Sequence, residues 1–161
     1  MLRRSIKKEK MFNKKIRNIK KIAEEFFEKT SFDVQIEVEE KDDSNITVNL
    51  KTDEPQVLVG EGGNTLACLQ TLLGKVVKRK TDARLYIDLD INDYKKRKIE
   101  YLKDVARNYA DEVSLSKKEK ELVPMPAYER RIIHMEIKER SDVSTESRGY
   151  GPERKVIIKP A

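Results

Sequence analysis

Residues 57–77, VLVGEGGNTLACLQTLLGKVV, constrain the fold most, because Gly60, Gly62 and Gly63 crowd into four positions ahead of a run with helical spacing. Glycine tolerates positive φ and lets a backbone come close to a partner. The helix that starts just after such a turn presents free N–H groups and the positive end of its dipole, an arrangement suited to a phosphate. A chain built around this stretch needs a tight turn between two helices and a layer that holds both.

The preceding residues predict that layer. Phe12, Ile16, Ile19, Ile22, Ala23, Phe26 and Phe27 recur at three and four, giving an amphipathic helix that ends near Thr30. Its outer face is lysine and arginine first and glutamate last, an order that opposes the helix dipole. Residues 1–11 read as a basic lead with few large apolar groups. Phe32, Val34, Ile36 and Val38 alternate with polar residues, as do Ile46, Val48 and Leu50 after a polar turn, which predicts two antiparallel strands. Asp53 followed by Gln56, with Pro55 between, reads as a capping-box helix start that Gly60 ends. The next helix turns Leu66, Leu69, Leu73, Val76 and Val77 inward, and Cys68 is expected in or near the same core. Leu85, Ile87, Leu89 and Ile91 alternate as a third strand.

A second unit is expected from residue 92. Asn92 or Asp93 caps a helix that carries Ile99, Leu102, Ala106, Tyr109, Ala110 and Val113 inward, with cations at 95–98 in its first turns. Residues 114–124 read as a polar connection closing on Leu122 and Val123, and Pro126 opens a further helix. Arg130 and His134 stand four apart and so share a face, at the edge of the stripe that contains Ile133 and Ile137. Spacing alone leaves that histidine as either a structural or a functional residue.

Several classes are excluded or disfavoured. No run approaches the length of a membrane span and the N-terminus lacks the apolar core of a secretory signal, so a cytoplasmic protein without membrane contact is expected. One cysteine makes no internal disulfide. Asp88, Asp90 and Asn92 have the first spacings of a calcium loop, but Asp93 stands where glycine is needed and Ile99 where glutamate is needed, so no metal is assigned. Gly74 and Lys75 are followed by valine, which removes a Walker loop, and the one histidine has no nucleophile elbow beside it. An enzyme, a cofactor and a small-molecule substrate are therefore not expected.

Charge narrows the partner. The net charge of +6 resolves into +9 over residues 1–21, −7 over 22–91 and +4 over 92–161, so a polyanion would be attracted by the two ends. Composition alone fits a lysine-rich solvated surface equally well.

Two segments carry a resemblance. Val59, Gly60, Glu61, Gly62, Gly63, Asn64, Thr65 and Leu66, between two helices after a strand pair, resemble the GxxG turn of a KH domain of the bacterial, type II, arrangement. The resemblance implies a turn that clamps the sugar-phosphate backbone of about four nucleotides. The two inner positions are Glu61 and Gly62, where nucleic-acid-binding KH domains usually place a lysine or arginine; a carboxylate there costs up to about 1 kcal/mol at an exposed site. MPAYERRIIH at 125–134, then Val143, Thr145, Ser147, Gly149, Pro152, Glu153 and Arg154 and the strand at 155–159, resemble an R3H domain, covering residues 92–161. That resemblance implies a surface Arg130 and His134 in contact with single-stranded nucleic acid; Thr145, Ser147, Arg148 and Arg154 either add hydroxyl and cationic contacts or pair across a strand edge.

The succession of the two is similar to the Jag family of bacterial RNA-binding proteins, also called the KhpB or SpoIIIJ-associated family. The expectation is an α+β chain: a basic lead (1–11), a KH-like domain of helices on a three-stranded sheet (12–91) and a small R3H domain (92–161). The family implies a non-catalytic binder of single-stranded RNA, with single-stranded DNA as a second ligand, that regulates RNAs tied to cell elongation and division. It also implies a small stand-alone KH protein as a partner. Many members carry an additional N-terminal domain, in whose place this sequence has the short basic lead. The competing expectation is a protein adaptor whose KH-like unit binds a partner protein, motivated by the acidic middle and Glu61.

Overall fold

The computed structural model describes residues 2–42, 44–82 and 84–161, with side chains from residue 13 onward. The chain divides into two compact units, Met1–Tyr94 and Lys95–Ala161.

The first unit runs α1 (Leu2–Glu28), β1 (Gln35–Glu40), β2 (Asn45–Lys51), α2 (Pro55–Val59), a 3-10 turn (Glu61–Gly63), α3 (Asn64–Thr81) and β3 (Tyr86–Ile91). The strands lie in the order β1-β2-β3, β1 antiparallel to β2 and β2 parallel to β3. The parallel pair follows from connectivity: α2 and α3 form the crossover that returns the chain in the same direction. Alternation then sorts the faces, so Ile46, Val48, Leu50, Ile87, Leu89 and Ile91 are buried with Ile19, Ile22, Ala23 and Phe27 of α1 and Leu66, Leu73 and Val77 of α3.

Local chemistry sets the boundaries. The Asp42 carboxylate accepts from the backbone N–H groups of Ser44 and Asn45 and from their side chains, which closes the β1–β2 turn and holds Asp42 down at about 2. α1 begins at Leu2, well before the apolar stripe, because lysine and arginine favour helix and extension of an existing helix is inexpensive. The capping box expected at Asp53 does not form: the first helical residue is Pro55, the cap position is Glu54, and no side chain bonds there. Thr52 Oγ1 instead accepts the Glu54 N–H. Cys68 is exposed and not in the core, since it lies two positions past Leu66 and therefore on the far side of α3. The Asn92 amide pairs both ways with the Thr52 backbone and ties the end of β3 to the end of β2.

The second unit contains most of α4 (Tyr94–Ser116), then β4 (Lys120–Glu121), α5 (Ala127–Ile137), β5 (Val143–Arg148), a 3-10 turn (Gly151–Glu153) and β6 (Lys155–Pro160). Its sheet is wholly antiparallel in the order β4-β6-β5. Leu102, Ala106, Ala110 and Val113 of α4 pack with Ile133 and Ile137 of α5 and with Val156 and Ile158 of β6. The polar connection expected at 114–124 begins inside α4 and contains the two-residue β4, and of the two apolar residues on which it closes Leu122 is buried while Val123 is exposed. The alternation rule accounts for this, because adjacent residues of an extended segment point to opposite sides.

Candidate nucleic-acid interface

α5 is seated by its own periodicity. Glu129, Ile133 and Ile137 recur every four residues and are all buried, so Arg130 and His134 fall beside that stripe, half-buried and facing β5. Glu129 is only 3% exposed and makes no apolar contribution; it accepts a hydrogen bond from Tyr128 Oη at 3.0 Å and lies 3.7 Å from Lys98 Nζ of α4. This pair anchors the first turn of α5 to α4. The sequence marks the residue only by its place four before Ile133.

β5 presents Thr145 and Ser147, two apart and so on one face, to α5. His134 Nδ1 lies 2.7 Å from Thr145 Oγ1 and its Nε2 lies 2.9 Å from Ser147 Oγ. Arg130 donates from Nη1 to the same Ser147 oxygen at 3.1 Å and from Nε to the Met125 carbonyl at 3.2 Å. Four of the expected site residues are thus joined in one network. Burial, and then the positive charge of Arg130, hold the His134 pKa below the usual imidazole value. In the neutral ring one nitrogen donates and the other accepts, so whichever tautomer forms, one hydroxyl hydrogen is spent on the ring and the other is left for a ligand.

An open groove of about 670 Å³ runs alongside, lined by Arg130, Arg131, His134, Met135, Lys138, Ser144 and Thr145. Arg131, Met135 and Lys138 were not among the expected site residues; Lys138 is four beyond His134, and that spacing is the signal for it. Arg140 borders the groove but is committed to Asp111 and Asp142, and it holds the Asp142 carboxyl well below the usual range.

The structure does not bring Arg148 into this cluster. Its parity on β5 places it with Glu146 on the opposite face, where it pairs with Glu146, Glu119 and Glu121 while Glu146 also binds Lys159. Arg154 is exposed just outside β6, and its carbonyl accepts the Met125 N–H at 3.1 Å, so the segment that receives Arg130 is held to the sheet.

The remaining expected residues form the glycine turn of the first unit. Gly60 ends α2 with its N–H on Gln56 O at 2.9 Å, at φ 70° and ψ 179°. A Cβ there would lie 2.1 Å from Thr65 Oγ1, and one on Gly63 (φ 88°) would lie 3.2 Å from the Tyr94 ring. Gly62 (φ 61°) faces open space, beside an exposed Glu61 and Asn64. No side chain caps the first turn of α3. The turn is therefore a backbone surface with one carboxylate on it.

Among the described residues no group of histidine, cysteine and carboxylate side chains is arranged to hold a metal ion, and no helix is long and apolar enough to cross a membrane.

A family model described as the R3H domain matches residues 100–160, the α4–β6 segment that carries the Arg130–His134 network. The second unit is an R3H domain. RNA-binding protein KhpB of Clostridium symbiosum is 38% identical over 136 residues, which covers 84% of this chain and 61% of that protein. Those of Lactiplantibacillus plantarum (34% over 112 residues; 70% and 35%) and Bacillus subtilis (30% over 115 residues; 70% and 55%) align over much of the chain as well. The chain belongs to the KhpB, or Jag, family, and it spans between about a third and three fifths of the length of these curated relatives.

Proposed function

We propose that this chain binds single-stranded RNA without a catalytic step and regulates cellular RNAs, including those tied to cell elongation and division. The observation that carries the reading is the Arg130–Ser147–His134–Thr145 network beside an open cationic groove. A guanidinium fixed at two points offers a planar face and spare N–H groups to phosphate or base, the imidazole offers an edge, and one hydroxyl remains free. The names of the relatives, RNA-binding protein, support the same ligand. The glycine turn is a second contact through backbone donors, with Glu61 working against it.

Fluorescence anisotropy with a short single-stranded RNA, titrated with salt, tests this. The parent's log affinity falls with log salt, and Arg130→Ala with His134→Ala weakens binding roughly ten- to a hundredfold, the loss of one or two stacked or charged contacts. Equal affinity in the double variant overturns the site. A parent with no salt-dependent affinity overturns the function in favour of a protein adaptor.

A further inference from the structure

We infer that the outer face of α1 is a third phosphate contact, a cationic track that takes the backbone of a single-stranded RNA beyond the glycine turn. The inference rests on the RNA-binding reading above. Lys14, Arg17 and Lys21 follow one another at three and four, so they form one stripe about 10 Å long. All three are exposed and, among the described residues, none makes a salt bridge, although Lys21 acts on the Glu25 carboxylate through its charge; their neighbours Lys15 and Lys20 are committed to Glu40 and Glu24. The sequence repeats the same spacing upstream at Arg3, Lys7 and Lys10.

These charges do not serve the helix. Lys14, Arg17 and Lys21 stand mid-helix, outside the first and last turns where the dipole acts, and cations three and four apart repel one another at a few tenths of a kcal/mol each. Release of counterions from a bound polyanion offsets that cost. The geometry also connects the stripe to the rest of the unit: Lys80 of α3 pairs with Glu25, one turn beyond Lys21, so the last turn of α3, with exposed Arg79, lies against α1 where the stripe ends. α3 begins at the glycine turn, and Lys75 and Arg79 are one turn apart on it. A strand leaving the turn along α3 therefore meets Lys75, Arg79, Lys21, Arg17 and Lys14 in succession.

The occupant is a polyanion in water and not a membrane surface. From residue 13 to the end of α1 no large apolar side chain is exposed, because Ile19, Ile22, Ala23 and Phe27 are all buried in the core. A helix that binds a bilayer needs an apolar face free to enter it.

The test uses the full chain, with Lys14→Gln, Arg17→Gln and Lys21→Gln combined, and two single-stranded RNAs: one of about four nucleotides, the span of a GxxG clamp, and one three times longer. For the longer RNA, removal of three phosphate contacts lowers the magnitude of the log affinity against log salt slope by about 2, so the affinity lost between about 50 and 200 mM salt shrinks roughly fifteen- to twentyfold. The shorter RNA binds the triple variant as it binds the parent. Lys20→Gln, a cation outside the stripe, leaves both RNAs unchanged, and circular dichroism of the triple variant shows the parent's helix content. An unchanged slope for the longer RNA overturns the track while leaving the RNA-binding reading in place. No RNA binding by the parent overturns both. If the triple variant keeps the longer RNA but loses adsorption to phosphatidylserine vesicles, the stripe serves lipid and the inference is wrong.

Discussion

Both ring nitrogens of His134 are held by hydroxyls of a single strand, at 2.7 Å and 2.9 Å, while Arg130 lies on the same Ser147 oxygen. This arrangement suits a neutral ring. Protonation places a second positive charge beside the guanidinium in a half-buried site, so burial first and Arg130 second depress the pKa. A histidine whose folded pKa lies below the free value, about 6.5, binds fewer protons folded than unfolded just below that pH. Its contribution to stability is thus complete above the unfolded value and is lost as pH falls through the folded one. Arg130→Gln removes the repulsion but not the burial. The expected result is a His134 titration shifted upward, still below the free value, read by NMR from the ring of the chain's one histidine. An unchanged or lower midpoint would show that Arg130 does not set it.

At the scale of elements, α5 is tied to α4 near both ends, by the Glu129–Lys98 contact at its start and by Arg140, three residues past its finish, on Asp111. Glu129→Ala removes the carboxylate that faces Lys98 and accepts from the Tyr128 hydroxyl, and it opens a small void. Lys98 is 22% exposed and can turn to water, so the expected cost is about 2 kcal/mol, not the larger penalty of a fully buried pair. Glu129→Gln keeps the shape and the Tyr128 bond and costs about 1 kcal/mol or less. Urea unfolding measures both, and an alanine variant within about 0.5 kcal/mol of the parent would remove the anchoring role. Glu129 also shows where a sequence stops being informative. The periodicity of Ile133 and Ile137 places the helix and puts Arg130 and His134 at its edge, but a charged residue in the buried stripe is readable only once Lys98 is known to face it. The same holds for Arg148: parity separates it from Thr145 and Ser147, yet nothing local announces that three carboxylates await it on the other face. Strand alternation and the glycine turn are short-range signals and were readable. Long-range side-chain bonds and very short strands depend on partners far along the chain, which is why the Asn92–Thr52 pairing and β4 were not.

At the scale of the molecule, the charge is divided so that residues 1–21 carry +9, 22–91 carry −7 and 92–161 carry +4. The glycine turn therefore sits in the segment that repels a polyanion, and its exposed Glu61 adds to that repulsion. In the proposed reading it would hold RNA through backbone geometry, whereas the Arg130–His134 cluster would add charge and two planar groups. The two contributions are separable with one substitution each. Gly62→Asp is tolerated by the fold because a Cβ there meets nothing and aspartate accepts the φ of 61° at modest cost. It places a second carboxylate on the phosphate path, for an expected loss of a few-fold in single-stranded RNA affinity that fades as salt rises. Arg130→Ala with His134→Ala, measured under the same conditions, is expected to lose several times more and to retain less of the salt dependence. The reverse order, with Gly62→Asp abolishing binding and the double variant nearly neutral, would move the principal contact to the turn, and the R3H cluster would then serve to orient the strand.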